Sequence, residues 1–281
     1  MREIPVETVR DTVKQLVLEA SYCIGSDVLA ALQRARDNEP SPLGRSVLEM
    51  ILANHQIACD EHLAICQDTG MALVFVELGQ DTHVCGGDIN EAINSGVALG
   101  YQEGYLRKSV VDDPLFERRN TGSNTPAIIY TDVVPGDRVR ILVSPKGFGS
   151  ENMGALAMLM PAEGVEGVKR FVIRTVKNAG PNPCPPTIVG VGIGGTADKA
   201  ALLARKGTLR TLGRHHRDER YARLEEELLE SINELGIGPA GLGGRTTALA
   251  VNIEFFPTHI AGLPVAVSLC CHAARHATAT L

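Results

Sequence analysis

The sequence predicts a mixed α/β (α+β) fold, with a helical N-terminal segment followed by a mixed-sheet part. Three observations carry this. Residues 1–62 place apolar residues at helical spacing with no strand-like run among them. From residue 63 onward, short apolar runs alternate with amphipathic helical stretches. No sequence repeat or low-complexity linker interrupts the 281 residues, which suffice for one domain, 1–281, with a large core. The alternation is less regular than in a barrel or a doubly wound sheet.

The elements follow in order. Val6, Val9, Val13, Leu16, Val17 and Ala20 recur at helical intervals. Ser41-Pro42 reads as the cap and first position of a further helix running to about Cys59. The run 71–78 (MALVFVEL) reads as a buried strand, and Asp88 opens a helix to about Leu106. Residues 120–126 (NTGSNTP) form a loop; 127–134 and 138–147 are strands joined by a turn at Pro135-Gly136-Asp137. A second Gly/Ser loop, 147–153, precedes a helix over 162–178. Residues 187–193 read as a short strand, 196–206 as a helix, and 219–238 as a strongly amphipathic helix ending at glycine. Strands at 246–256 and 264–270 close the pattern, before the tail CHAARHATATL.

Composition narrows the function. A net charge of −6 without a basic block excludes a nucleic-acid footprint, and the absence of Trp removes the best stacking platform. No apolar run in the sequence reads as a membrane span. The start, MREIPVETVRDTVKQLVLEA, is amphipathic and carries acids, unlike a secretory or transit peptide, so a cytoplasmic protein is expected. The seven cysteines, odd in number, argue against a disulfide framework.

Those cysteines frame the chemistry. Cys184 stands in GPNPCPP, residues 180–186, among four prolines, and directly before Pro185 it is expected to be extended. Cys66 and Cys271 also end apolar segments. Thiolates converging from three loops suit an iron–sulfur cluster, and three protein ligands rather than four leave one iron open for Lewis-acid chemistry. Cys23, Cys59 and Cys85 read as buried filler. Zinc on Cys270, Cys271, His272 and His276 is weakly signalled, because no paired C-x-x-C occurs. Gly190, Gly192 and Gly195 match G-x-G-x-x-G between a strand and a helix, yet the acidic partner expected about 20 positions on would fall in GRHHRDER, which carries no strand. Close strand–helix packing is the alternative use of those glycines.

Six segments in order, CQDTG, NTGSNTP, PKGFGSENM, NPCPPTIVGVGIGG, GLGGRTTALAVNIEFFPTHIAGLPVAV and CCHAARH, resemble the alpha subunit of class I (iron–sulfur) fumarate hydratases. The related L-tartrate dehydratases share part of the pattern. The resemblance spans nearly the whole chain. It implies a [4Fe–4S] cluster on Cys66, Cys184 and Cys271, with reversible hydration of fumarate to (S)-malate. Cys270 adjoins the third ligand, and in an extended segment only one of two neighbours faces the cluster. By the same resemblance Asp68 is a proton donor and acceptor, Gln67 lies at the substrate, His259 contacts a substrate carboxylate, Arg107 reaches a neighbouring protomer's site, and Gly149 lines the pocket. Asp68 can instead serve as a turn residue, Arg107 as a helix-surface charge, and His259 as a strand-edge residue. In single-chain members a second domain supplies further arginines, a lysine and the base. This chain runs ten residues beyond Cys271, so a beta subunit, a shared active site and an α2β2 assembly are expected. Fumarate is the expected substrate. Tartrate or mesaconate differs by few groups, and a dinucleotide-binding oxidoreductase is the reading from another class.

Overall fold

A computed structural model describes residues 2–281. The helices are α1 (Val6–Tyr22), α2 (Ser26–Asn38), α3 (Pro42–Glu61), α4 (Ile89–Glu103), α5 (Phe148–Glu151), α6 (Gly164–Ala179), α7 (Ala197–Gly207) and α8 (Glu219–Asn233). The strands are β1 (Arg2–Pro5), β2 (Met71–Gly79), β3 (Thr82–Cys85), β4 (Ile128–Val134), β5 (Val139–Lys146), β6 (Ala155–Leu159), β7 (Thr187–Gly194), β8 (Ala248–Phe256), β9 (Leu263–Cys270) and β10 (Ala277–Thr280). Helices and mixed sheets together bear out the predicted fold class. The short strands β1, β3, β6 and β10 were not foreseen.

The chain forms two compact units: Met1–Gly25, Asn54–Phe148 and Arg275–Leu281 in the first, Ser26–Ala53 and Gly149–Ala274 in the second. In the first, the sheet runs β10-β5-β2-β4, with β2 parallel to β4 and antiparallel to β5, and β10 antiparallel to β5. The predicted turn at residues 135–137 therefore joins β4 and β5 without pairing them, because β2 lies between. β1 and β3 form a separate parallel pair. The core of this unit gathers Val9, Val13, Leu16 and Val17 of α1 against Val74, Val76, Ile141 and Val143 of the sheet, with Ile93, Val97 and Tyr101 of α4. Asp88 caps α4 as expected, its carboxylate accepting from the N–H groups of Asn90 (2.7 Å) and Glu91 (3.0 Å).

The second unit's sheet runs β6-β9-β7-β8. Here too a strand, β7, has a parallel partner, β8, reached through helices, and an antiparallel partner, β9, whose other neighbour, β6, is antiparallel again. The topology of β2, β4, β5 and β10 thus recurs in β7, β8, β9 and β6, although no repeat is visible in the sequence. Strand β7 is buried along its whole length. Val172 and Val176 of α6, Leu228 and Ile232 of α8, and Val189, Val191 and Leu269 of the sheet form its core. Helix α7 packs directly on β7. A Cβ at Gly192 would stand 1.9 Å from the carbonyl of Ala200, and one at Gly190 would stand 2.0 Å from that of Ala204. The first two glycines of the G-x-G-x-x-G match, Gly190 and Gly192, are therefore required by packing.

Two expectations are corrected. Cys23 and Cys59 are not filler: they form a disulfide, because the ends of α1 and α3 bring their Cα atoms within 4.8 Å. The stretch Val6–Asn38 is long and apolar enough, by composition, to cross a membrane. It breaks at residues 23–25 into α1 and α2, and α1 spends its apolar residues on the first unit's core.

Within the second unit, Glu39 is fully buried where α2 meets α3. Its carboxylate accepts from the N–H groups of Ser41 (3.1 Å), Arg245 (2.9 Å) and Thr246 (2.7 Å) and from the Thr246 hydroxyl (2.6 Å). Burial works to raise its pKa. The Thr246 hydroxyl and the three N–H groups outweigh burial and hold the carboxyl below the ordinary carboxylate value. A depressed folded pKa adds stability above the unfolded value that is lost as pH falls through the folded one. Glu39→Gln is therefore expected to lower the unfolding free energy by about 2 kcal/mol at pH 7. The gap to the parent should shrink as pH drops below about 4. Urea unfolding at both pH values checks this; a gap independent of pH would refute it.

Candidate active site

The candidate residues occupy matching places in the two units. Cys66, Gln67 and Asp68 lie just before β2, and Cys184 lies just before β7. Gly147 and Phe148 follow β5, and Cys271 and His272 follow β9. Because β5 is antiparallel to β2, and β9 to β7, each pair of loops meets at one sheet end.

In the first unit this junction grips Asp68. One carboxylate oxygen accepts from the N–H of Phe148 at 2.7 Å and the other from the N–H of Gly70 at 3.1 Å. Arg275, buried just before β10, donates from Nη2 to the Asp68 carbonyl and from Nε to the Pro145 carbonyl at 3.3 Å. The Tyr101 hydroxyl donates to the carbonyls of Thr69 (2.7 Å) and Gly70 (3.0 Å). Burial pushes the Tyr101 phenol far above its ordinary value, with Arg275 opposing and Asp68 adding to the rise. Asn124 holds the same turn through its amide nitrogen and the Gly70 carbonyl, 3.0 Å. Thr69 donates its hydroxyl to the Arg107 carbonyl at 2.5 Å, so the main chain of Arg107 is tied to the CQDTG loop while its side chain is exposed. Gln67 is exposed, and Cys66, half-buried, directs its thiol to the Gln67 side-chain oxygen at 3.4 Å.

In the second unit the corresponding junction holds Cys184. Its N–H donates to the Pro181 carbonyl (3.0 Å), and its own carbonyl accepts from the N–H of His272 (3.3 Å). The residue is exposed at φ +53°. The expected extended conformation is thus corrected to a left-handed one. The neighbouring backbone bonds, including Ala240 N–H to the Pro185 carbonyl at 2.7 Å, override the local influence of Pro185. Gly149 lies beside this loop, where a Cβ would sit 3.5 Å from the Asn182 carbonyl. His259 lies apart in an exposed turn, its Nδ1 accepting from the Ala261 N–H at 3.2 Å, which puts the neutral ring's proton on Nε2. An apolar cavity of about 570 Å³ between α6 and α8, reaching Leu263, contains none of the candidate residues.

The donor chemistry suits an iron–sulfur group. Cys66, Cys184 and Cys271 all lie in loops at sheet ends and outside the disulfide, and the loops of Cys184 and Cys271 are hydrogen-bonded to each other. Among the described residues no group of three or more Cys, His, Asp or Glu is gathered for a metal ion. Zinc on the C-terminal Cys/His run finds no support there either. The structure brings together Asp68 with the loop after β5, and Cys184 with the loop after β9. It leaves Gln67, Arg107 and His259 at the surface. Sequence reasoning missed Tyr101 and noted Arg275 only as a flank of Cys271, without a role. The signal for Arg275 was a charge set among Ala273, Ala274 and Ala277.

These loops, at the ends of two topologically alike sheets, match a known class of hydro-lyase subunit. The family model for fumarate hydratase (fumerase) matches residues 10–280, and the chain belongs to this fumarase/L-tartrate dehydratase family. It is 45% identical over 273 residues, 96% of each chain, to a Methanocaldococcus jannaschii protein provisionally named an L(+)-tartrate dehydratase subunit alpha. It is 36% identical over 254 residues, 90% of this chain and 84% of the other, to an Escherichia coli L(+)-tartrate dehydratase subunit alpha.

Proposed function

We propose that the chain is the alpha subunit of a cytoplasmic, two-subunit [4Fe–4S] hydro-lyase that reversibly hydrates fumarate to (S)-malate. Cys66, Cys184 and Cys271 would hold the cluster. When bound, the cluster supplies a Lewis acid for the substrate hydroxyl. The observation that carries the reading is the grip on Asp68: a carboxylate two residues from Cys66, fixed by two backbone N–H groups at a loop junction.

Hydration puts the hydroxyl of water on one alkene carbon and its proton on the other. Asp68 would hold or move a proton there, because its carboxylate is oriented before substrate arrives. Fumarate is a dianion. His259 and the Arg107 guanidinium would donate charge-assisted hydrogen bonds to its two carboxylates, and Gln67 would orient it. Gly149 leaves room for the substrate along the Asn182–Cys184 loop. A beta subunit would complete the site in an α2β2 assembly. The loops NTGSNTPA and GFGSENM, which follow the fumarase form, support fumarate. A second reading, L(+)-tartrate dehydration, is favoured by the names of the relatives.

The test is anaerobic reconstitution of the chain with its beta subunit and assay against fumarate, mesaconate and L(+)-tartrate. Fumarate turnover by the pair, absent from either chain alone, is expected. Turnover of tartrate alone would establish the second reading. Full turnover by this chain alone would refute the shared site.

A further inference from the structure

Arg275 has a geometry that a structural tie does not explain. It is 4% exposed, and its Nη1 is buried without a hydrogen-bond partner. Its other groups join the CQDTG loop to the last residues of β5. Nη2 donates to the Asp68 carbonyl, Nε donates to the Pro145 carbonyl (3.3 Å), and its main-chain carbonyl accepts from the Ser144 hydroxyl (3.0 Å). The same CQDTG loop supplies the Gly70 N–H, and β5 leads within three residues of Pro145 to the Phe148 N–H, the two donors that grip the Asp68 carboxylate. Tyr101 shows that a neutral hydroxyl is enough to hold the turn's backbone, since it bonds the next two carbonyls. Burying a guanidinium with one nitrogen unsatisfied is costly, and the same tie could be made without charge. What the fork adds is rigidity. One planar group spans the CQDTG loop and the end of β5, so the carboxylate's two donors keep a fixed separation.

We propose that Arg275 is a positioning residue for Asp68, locking the CQDTG loop to the end of β5, just before Phe148, so that the Asp68 carboxylate keeps one orientation. This rests on the reading that Asp68 acts on the substrate.

The experiment uses the alpha–beta complex, loaded anaerobically, with Arg275→Met, Arg275→Lys, Asp68→Asn and the double variant Asp68→Asn/Arg275→Met. Arg275→Met is expected to lower kcat on the order of 100-fold, with KM within about threefold of the parent. Arg275→Lys keeps the charge without the fork and should fall between Arg275→Met and the parent. The double variant should be no slower than Asp68→Asn, because Arg275 works only through that carboxylate. Hydrogen exchange gives a readout independent of turnover. The Gly70 and Phe148 amides should lose protection in Arg275→Met, while Val74 and Val143 in the strands keep theirs.

Losses that multiply in the double variant, or unchanged exchange at Gly70 and Phe148, would overturn the proposal. If Arg275→Met loses protection across β2 and β5 as well, it has unfolded, and Arg275→Lys carries the same comparisons. Turnover retained by Asp68→Asn would instead overturn the role of Asp68, a distinct result from Arg275 variants that keep kcat while Asp68→Asn loses it.

Discussion

Cys184→Ser is expected to leave the chain folded while the alpha–beta pair loses bound iron, sulfide, its brown absorbance and all turnover. The backbone ties this residue in place: its N–H donates to the Pro181 carbonyl and its carbonyl accepts from the His272 N–H. The side chain is exposed, so a nearly isosteric hydroxyl disturbs no packing. Serine is a poor substitute for a thiolate toward iron, so the cluster should not assemble. Thermal denaturation of the two chains should coincide, and iron and sulfide analysis should separate them. The backbone sharpens the test. A non-glycine residue at φ +53° costs of order 1 kcal/mol. Cys184→Gly should therefore be at least as stable as the parent and equally devoid of cluster. Iron content and turnover kept by both variants would remove Cys184 from the ligand set.

Gly192→Ala should have the largest effect on stability. The added Cβ would lie 1.9 Å from the Ala200 carbonyl and 2.5 Å from the Ala204 nitrogen, both of them backbone atoms of α7. No side chain can rotate away; the helix itself must move off a strand buried along its whole length. A loss of about 3 kcal/mol or more is expected, lowering Tm on the order of 10 °C. The same variant discriminates against dinucleotide binding. If these glycines cradled a cofactor, the substitution would remove NAD affinity at nearly constant Tm.

What the sequence showed follows from how each feature is encoded. Helix α1 was legible because its apolar residues keep one face buried over 17 residues. Strands β2, β7 and β9 were legible as continuous apolar runs between helical stretches. Strands β1, β3, β6 and β10 have only four or five residues each, too few for a period to emerge. The Cys23–Cys59 pairing spans 36 residues and depends on where two helices end. At Cys184 the local rule pointed to an extended residue, and hydrogen bonds from distant N–H groups, those of His272 and Ala240, decided otherwise. The cysteine loops were legible as motifs. Arg275 was visible in the last motif without a role, because its partners at Asp68 and Pro145 are 207 and 130 residues away.

The first unit's sheet has its own order of assembly. Strand β5 is synthesised well before its neighbour β10, and the larger part of the second unit, residues 149–274, is translated between them. On the ribosome, β5 therefore waits with one edge unpaired, as does the socket for Arg275, while residues 149–274 emerge. Residues 275–281 then close an edge strand and insert the guanidinium beside Asp68 in one late step. The Asp68 junction is thus completed by a segment made after Cys66, Cys184 and Cys271.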